Sequence, residues 1–276
     1  MTDTLGFLDA VAGLPEQIAA AHAAAGAIDP GRFPSAADTA NIVVLGMGGS
    51  GISGDVVSAA FSDELPVPVT VLKQMRVPAF VGPGTLAFAV SYSGDTEETL
   101  AMARAAVERG ARLVAVSRGG ALAELAAETG SLHLPCPDGY MPRAAVGALV
   151  APLVVSLFRM GLVTSGHRQL EAAERQLTAR RNECRTEVEG AANPARELAR
   201  RIDRTVPLVY GAGALGGVAA YRWKCDVNEN AKAPAFSHQY PELDHNEICA
   251  WGQHGDVTRQ LLTLVDRKST RLNSSH

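Results

Sequence analysis

The sequence predicts an α/β protein in which a doubly wound parallel five-stranded sheet is followed by an incomplete second unit of the same kind. Three observations predict it. Short apolar runs alternate with helical patterns five times from Asn41 onward, which implies parallel strands joined by crossover helices. The runs are continuously apolar, as in strands covered on both faces. A strand, glycine turn and helix pattern at residues 41–57 recurs at residues 206–218.

Residues 4–28 are alanine-rich with helical spacing, broken at Gly13-Leu14-Pro15, and predict two short helices. The loop of Pro30, Gly31 and Pro34 leads to the first strand, residues 42–45, which stops at Gly46. Gly46, Gly48, Gly49, Gly51 and Gly54 then form a turn before a helix headed by Val56 and Val57. Further strands are expected at 67–72, 86–90, 112–116 and 132–134, with helices at 97–109 and 121–128. The apolar stretch 144–158 is shorter than the roughly twenty residues that span a bilayer, contains Pro152 and ends at Arg159, so it reads as a buried or interface helix. Residues 167–204 read as a charged two-helix linker interrupted at Gly190 and Pro194. A strand at 206–210 enters Gly211-Ala212-Gly213-Ala214-Leu215-Gly216-Gly217 and a helix from Val218, and residues 261–265 form another strand. The expected organisation is a first domain at 1–165, a linker at 166–204, a partial second domain at 205–266 and a non-native polar tail at 267–276.

Composition narrows the function. A chain of 276 residues, 47% hydrophobic, can bury a large core. The net charge of -4 and the lack of a long basic run argue against a nucleic-acid surface or a membrane anchor and favour small ligands. Cys136, Cys184, Cys225 and Cys249 lie far apart with no C-x-x-C pair, which fits reduced thiols, and the N-terminus has no basic-then-apolar signal segment; a cytoplasmic protein is expected.

The first glycine turn exposes backbone N–H groups at the positive end of a helix dipole, which makes it a seat for an anion. Gly46, Gly48 and Gly51 also fit the dinucleotide pattern G-x-G-x-x-G, but that reading needs a carboxylate at the end of the second strand, where Lys73 and Gln74 stand. A turn required only for strand-on-helix packing is the other reading. Ser50 sits in the turn with a hydroxyl available to a ligand. The third strand ends in Ser91-Tyr92-Ser93-Gly94-Asp95-Thr96. Capping a helix takes one hydroxyl, whereas Ser91, Ser93 and Thr96 supply three, which suggests a held phosphate. Both turns lie at the carboxyl ends of strands, where such sheets bind ligands, and are expected to converge on one site. Arg143 stands at the start of the apolar helix, with its guanidinium expected to point into the crevice. His238, His245, Cys249 and His254 lack any recognised zinc spacing, so no metal site is expected.

Four stretches together carry a resemblance: GMGGSGISGD, SYSGDTEETL, MPRAA and WKCDVNENAKAPAFSHQYPELDHNEI. The chain resembles the bifunctional phosphoglucose/phosphomannose isomerases, built from two sugar-isomerase (SIS) domains, over nearly its whole length to about Asp266. The resemblance implies a cofactor-independent aldose-ketose isomerase acting on glucose 6-phosphate and mannose 6-phosphate. It implies that Gly48, Gly49, Ser50, Ser91, Ser93 and Thr96 hold the sugar phosphate, that Arg143 faces the enediolate, and that Glu229 is the base. It further implies that His245 assists ring opening across a homodimer interface. The chemistry is coherent: removing a proton beside a carbonyl needs an aimed base and a nearby cation, and ring opening suits an imidazole. Glu229, at the end of a mostly apolar helix, is expected to be partly withdrawn from water. The family's C-terminal lysine has no clear counterpart, Lys268 lying in the polar tail. The competing functions are a sugar-phosphate sensor with a degenerate site and an aminosugar-phosphate enzyme.

Overall fold

The computed structural model describes residue 3 and residues 6–267, and within it the chain divides into two compact units, Met1–Arg181 and Asn182–His276. The expected helix start at residues 4 and 5 and the tail from residue 268 lie outside the described residues.

In the first unit, β1 (Asn41–Leu45), β2 (Val69–Leu72), β3 (Thr85–Val90), β4 (Arg112–Ser117) and β5 (Leu132–Pro135) form a parallel sheet of order β2-β1-β3-β4-β5. The order reverses at β1, so helices cover both faces, and alternate side chains of each strand enter opposite cores. Ile42, Val44, Leu86, Phe88, Val90, Val114 and Val116 join one core with residues of α2 (Leu14–Gly26), α3 (Gly48–Ala60) and α6 (Val146–Arg159). Val43, Leu45, Ala87, Ala89, Leu113 and Ala115 join the other with α4 (Glu97–Glu108) and α5 (Gly120–Glu128). Burial on both faces explains why these strands read as unbroken apolar runs. The N-terminal segment is two helices, α1 (Phe7–Ala12) and α2, parted at Gly13, and α2 packs on α6. Pro15 is accepted in the first turn of α2, where its missing N–H has no intrahelical partner to lose.

The first glycine turn is shorter than the sequence suggests. The helix begins at Gly48, so only Gly46 and Met47 bridge strand and helix, and Gly51 and Gly54 lie inside α3. Both allow a close crossing. A Cβ on Gly51 would stand 2.6 Å from the Gly46 carbonyl, and one on Gly54 would stand 2.7 Å from Val44 Cγ1. At these two positions the packing reading is the correct one.

From α7 (Gly166–Cys184) the chain passes through α8 (Pro194–Ile202). In the second unit β6 (Val206–Ala212), β7 (Phe236–Tyr240) and β8 (Leu262–Arg267) form a parallel sheet of order β7-β6-β8, with α9 (Gly213–Asp226) following β6 and α10 (Gly255–Leu261) preceding β8. Asn193 is buried at the start of α8: its side-chain oxygen accepts from the Ala195 and Arg196 amides, and its nitrogen donates to three carbonyls, those of Cys184, Arg185 and Val188. Among the described residues no helix is long and apolar enough to cross a membrane.

Candidate active site

In the first unit, the two hydroxyl-bearing turns leave neighbouring strands. β1 and β3 pair in register, Leu45 against Ala89, so Gly46 leaves the carboxyl edge of the sheet beside Val90, the residue before Ser91. A Cβ on Gly46 would stand 3.0 Å from the Val90 carbonyl, which measures how closely the strand ends approach. Gly48, Gly49 and Ser50 form the first turn of α3, where the Gly48 and Gly49 N–H groups precede the first intrahelical bond and the Ser50 N–H donates to the Met47 carbonyl at 3.0 Å. Gly48 is left-handed at φ 50 with open space where a Cβ would stand, so its glycine serves the backbone conformation. The Ser50 carbonyl accepts from the Ser53 hydroxyl at 2.6 Å.

Ser91, Ser93 and Thr96 are brought together. The Ser91 and Thr96 hydroxyls lie 2.8 Å apart and those of Ser91 and Ser93 3.5 Å apart. Ser91 Oγ accepts from the Gly94 amide at 3.1 Å and Ser93 Oγ from the Asp95 amide at 3.2 Å, so the turn is wound around its own hydroxyls. Thr96 occupies the N-cap position of α4 without a side-chain capping bond; its hydroxyl meets Ser91 instead. Gly94, at φ 85, meets the Gly119 carbonyl where a Cβ would be, which locks this turn to the one before α5.

Lys73, at the end of β2, fills the position a dinucleotide fold gives to an acid. Its ammonium forms an ion pair with Asp55, and its aliphatic stem lies 2.9 Å from where a Cβ on Gly51 would be.

Arg143 sits on the 3-10 turn Pro142–Ala144, which packs on α3. Its guanidinium is not free in a crevice: it lies over the Phe7 ring, 5.8 Å from the centroid, an arrangement stabilised by the negative face of the ring. Two buried side chains hold the loop leading to it. Tyr92 donates to the Pro137 carbonyl at 3.0 Å and accepts from the Tyr140 amide at 3.0 Å, and burial pushes its phenol above the ordinary range. Gln17 donates to the Ala144 carbonyl at 2.9 Å. Sequence reasoning missed both. Tyr92 had a signal, since it stands between the two serines of a turn and its ring must go somewhere.

In the second unit, Glu229 lies on a π-helical turn, Val227–Ala231, that continues α9. Single π turns inside helices are frequent at functional sites because they displace one side chain from the helical register. Asn230 donates to the Asp226 carbonyl at 3.0 Å and Asn228 to the Ala233 carbonyl at 2.9 Å, so both asparagines flanking Glu229 fold the backbone. Glu229 itself is exposed in the single chain, which corrects the expectation that it is withdrawn from water. The half-buried carboxylate next to this turn is Asp226, the last residue of α9, which accepts from Arg222 Nε at 2.9 Å; burial raises its pKa, opposed by Arg222 and aided by the Glu229 charge. His245 ends a short 3-10 turn, Glu242–His245, and is exposed. His238 is paired with Glu247, and among the described residues no group of three or more His, Cys, Asp or Glu is placed to hold a metal.

A five-stranded parallel sheet with two hydroxyl and glycine turns at its switch point, followed by a second strand, glycine turn and helix unit, defines a two-unit SIS protein. The SIS domain pattern matches residues 37–140, and that of the bacterial phospho-glucose isomerase C-terminal SIS domain matches residues 191–274. The bifunctional phosphoglucose/phosphomannose isomerase of Caldicellulosiruptor bescii is 35% identical over 240 residues, covering 87% of this chain and 70% of that one. That of Thermoplasma acidophilum is 39% identical over 208 residues, 75% of this chain and 61% of that one. The chain belongs to the bifunctional phosphoglucose/phosphomannose isomerase family. It spans roughly two thirds of the length of these relatives. The C-terminal domain of glucosamine-fructose-6-phosphate aminotransferase from Francisella tularensis shares the fold, with a TM-score of 0.65 at 19% identity over 88% of this chain and 72% of that one.

Proposed function

We propose that this chain interconverts glucose 6-phosphate, and mannose 6-phosphate, with fructose 6-phosphate through an enediolate. The observation that carries the reading is the Ser91, Ser93 and Thr96 hydroxyl cluster beside the N-terminal turn of α3. Such a cluster offers side-chain and backbone donors to a phosphate dianion together. Gly48, Gly49 and Ser50 complete the seat. With the phosphate fixed, the sugar carbons are placed for chemistry, and positioning of this kind supplies much of the rate.

In this reading His245, supplied by the partner subunit of a homodimer, moves the proton that opens the ring. Glu229 then takes the C2 proton and returns it to C1, and Arg143 leaves the Phe7 ring to face the enediolate oxygens. The arrangement suits a cytoplasmic enzyme working on a soluble metabolite. The test is a coupled assay for fructose 6-phosphate formation, run with Glu229→Gln beside the unaltered chain. Turnover abolished in the variant supports Glu229 as base; undiminished turnover removes it.

A further inference from the structure

We propose that Glu247, His238 and Tyr210 form a clamp that fixes the segment carrying His245, which makes them positioning residues for the ring-opening step; this rests on the role given to His245 above. The segment after β7 is an arch. On one side of His245, Leu243 is fully buried at 0% exposure. On the other side, Glu247 uses both carboxylate oxygens, one accepting from His238 Nδ1 at 2.5 Å and the other from the Tyr210 hydroxyl. His245 lies between these two anchors with its own side chain exposed.

The clamp is rooted in the sheet. Tyr210 is on the central strand β6 with 1% exposure, stacks edge-on against Tyr240 at 5.8 Å, and accepts from Trp251 Nε1 at 3.3 Å. His238 is its direct neighbour in register on β7. Asn246 ties the arch to itself, accepting from the Glu247 amide at 2.5 Å and donating to Glu242 at 3.1 Å. An ionised Glu247 can only accept, so His238 must carry its proton on Nδ1. A proton-transferring imidazole on a loop has to be held within about 0.5 Å of its working place, and a displacement of about 1 Å is enough for a hundredfold loss. No other ionisable group of the arch is tied to the sheet in this way among the described residues.

The test uses the full chain with His238→Leu, His238→Asn and Tyr210→Phe. The asparagine amide nitrogen stands near where Nδ1 stood and donates to Glu247, so it keeps the clamp while removing the imidazole. Interconversion of the two glucose 6-phosphate anomers, followed by exchange NMR, reads ring opening alone. The expected result is a fall of roughly a hundredfold for His238→Leu with KM little changed, and a rate within about threefold of the unaltered chain for His238→Asn. In the same samples the His245 imidazole resonances should shift in the leucine variant and hold in the asparagine variant. A folded His238→Leu protein that opens the ring normally overturns the proposal, as does an equal loss in both His238 variants or a His245 signal unmoved in all three. Glu229→Gln separates the two readings: isomerisation that survives it refutes the proposed base, while the clamp stands or falls on anomer exchange and the His245 signal.

Discussion

The chain builds the same strand, glycine turn and helix twice and uses it in two ways. In each copy a pair of glycines five residues apart lets the helix cross the strand end. Gly51 approaches the Gly46 carbonyl in the first, and Gly211 approaches the Gly216 carbonyl in the second. The backbone device is therefore shared. The surroundings differ. In the first unit the neighbouring strand β3 delivers Ser91, Ser93 and Thr96 to the turn, and Ser50 stands on the first helical turn. In the second, the neighbouring strand β7 delivers Gln239, whose amide occupies the place of a Cβ on Gly217, and the helix opens with Gly213, Ala214 and an exposed Leu215. Glycine spacing reports close packing; the ligand seat is reported by the hydroxyls that the next strand brings.

If that contrast is right, the chemistry of the second unit resides in its π turn and not in its glycine turn. Glu229→Gln should lower kcat by about 10²–10⁴, the range for a lost general base, whereas Leu215→Ala should leave kcat unchanged. A coupled assay decides, and a large loss from Leu215→Ala would erase the distinction between the turns. The shared backbone device predicts a shared cost. Gly51→Ala and Gly211→Ala should each destabilise their own unit by about 3 kcal/mol in urea unfolding, since each Cβ meets backbone that cannot swing aside. Gly217→Ala should be milder, because the Gln239 side chain can move.

The helix starts sharpen the comparison with pH. Before α7, Glu64 accepts from the Thr164 amide at 2.8 Å, the Ser165 amide at 3.1 Å and both hydroxyls. These bonds, the Ser165 hydroxyl first, hold its carboxyl down to about 2 from the ordinary 4.5. A depressed carboxylate stabilises the fold above its unfolded pKa, so this contribution should be complete above 4.5 and fade as the pH falls toward about 2. Glu64→Ala should cost about 1 kcal/mol at neutral pH, reduced by salt because the group is solvated, and nothing once the carboxyl is protonated. Asn193→Ala before α8 should cost more, about 2 kcal/mol, with no such fading, because its amide does not titrate. Thermal unfolding of both variants across the acid range measures the difference.

Much of the fold was legible because its causes are local. Strands buried on both faces must be continuously apolar, and Gly13, Gly190 and Pro194 interrupt helices where the sequence says they do. The helix start at Gly48 was hidden, since glycine is a poor helix former and its presence in α3 answers to Val44 and the Gly46 carbonyl across the crossing. The hydroxyl turn could be read from three hydroxyls in six residues, and Tyr92 stands out within it, but its partners at Pro137 and Tyr140 could not be read because they lie far along the chain. Glu247 was hidden likewise: its meaning depends on Tyr210 and His238, which only the β6-β7 pairing brings together.

The most direct test of the phosphate seat is calorimetric titration of the unaltered chain and of Ser91→Ala with glucose 6-phosphate and with glucose. The account predicts that glucose 6-phosphate binds far more tightly than glucose, and that Ser91→Ala weakens the phosphate ester about tenfold or more while leaving glucose unaffected. Equal affinity for both sugars, or an unchanged affinity for glucose 6-phosphate in the variant, would contradict it.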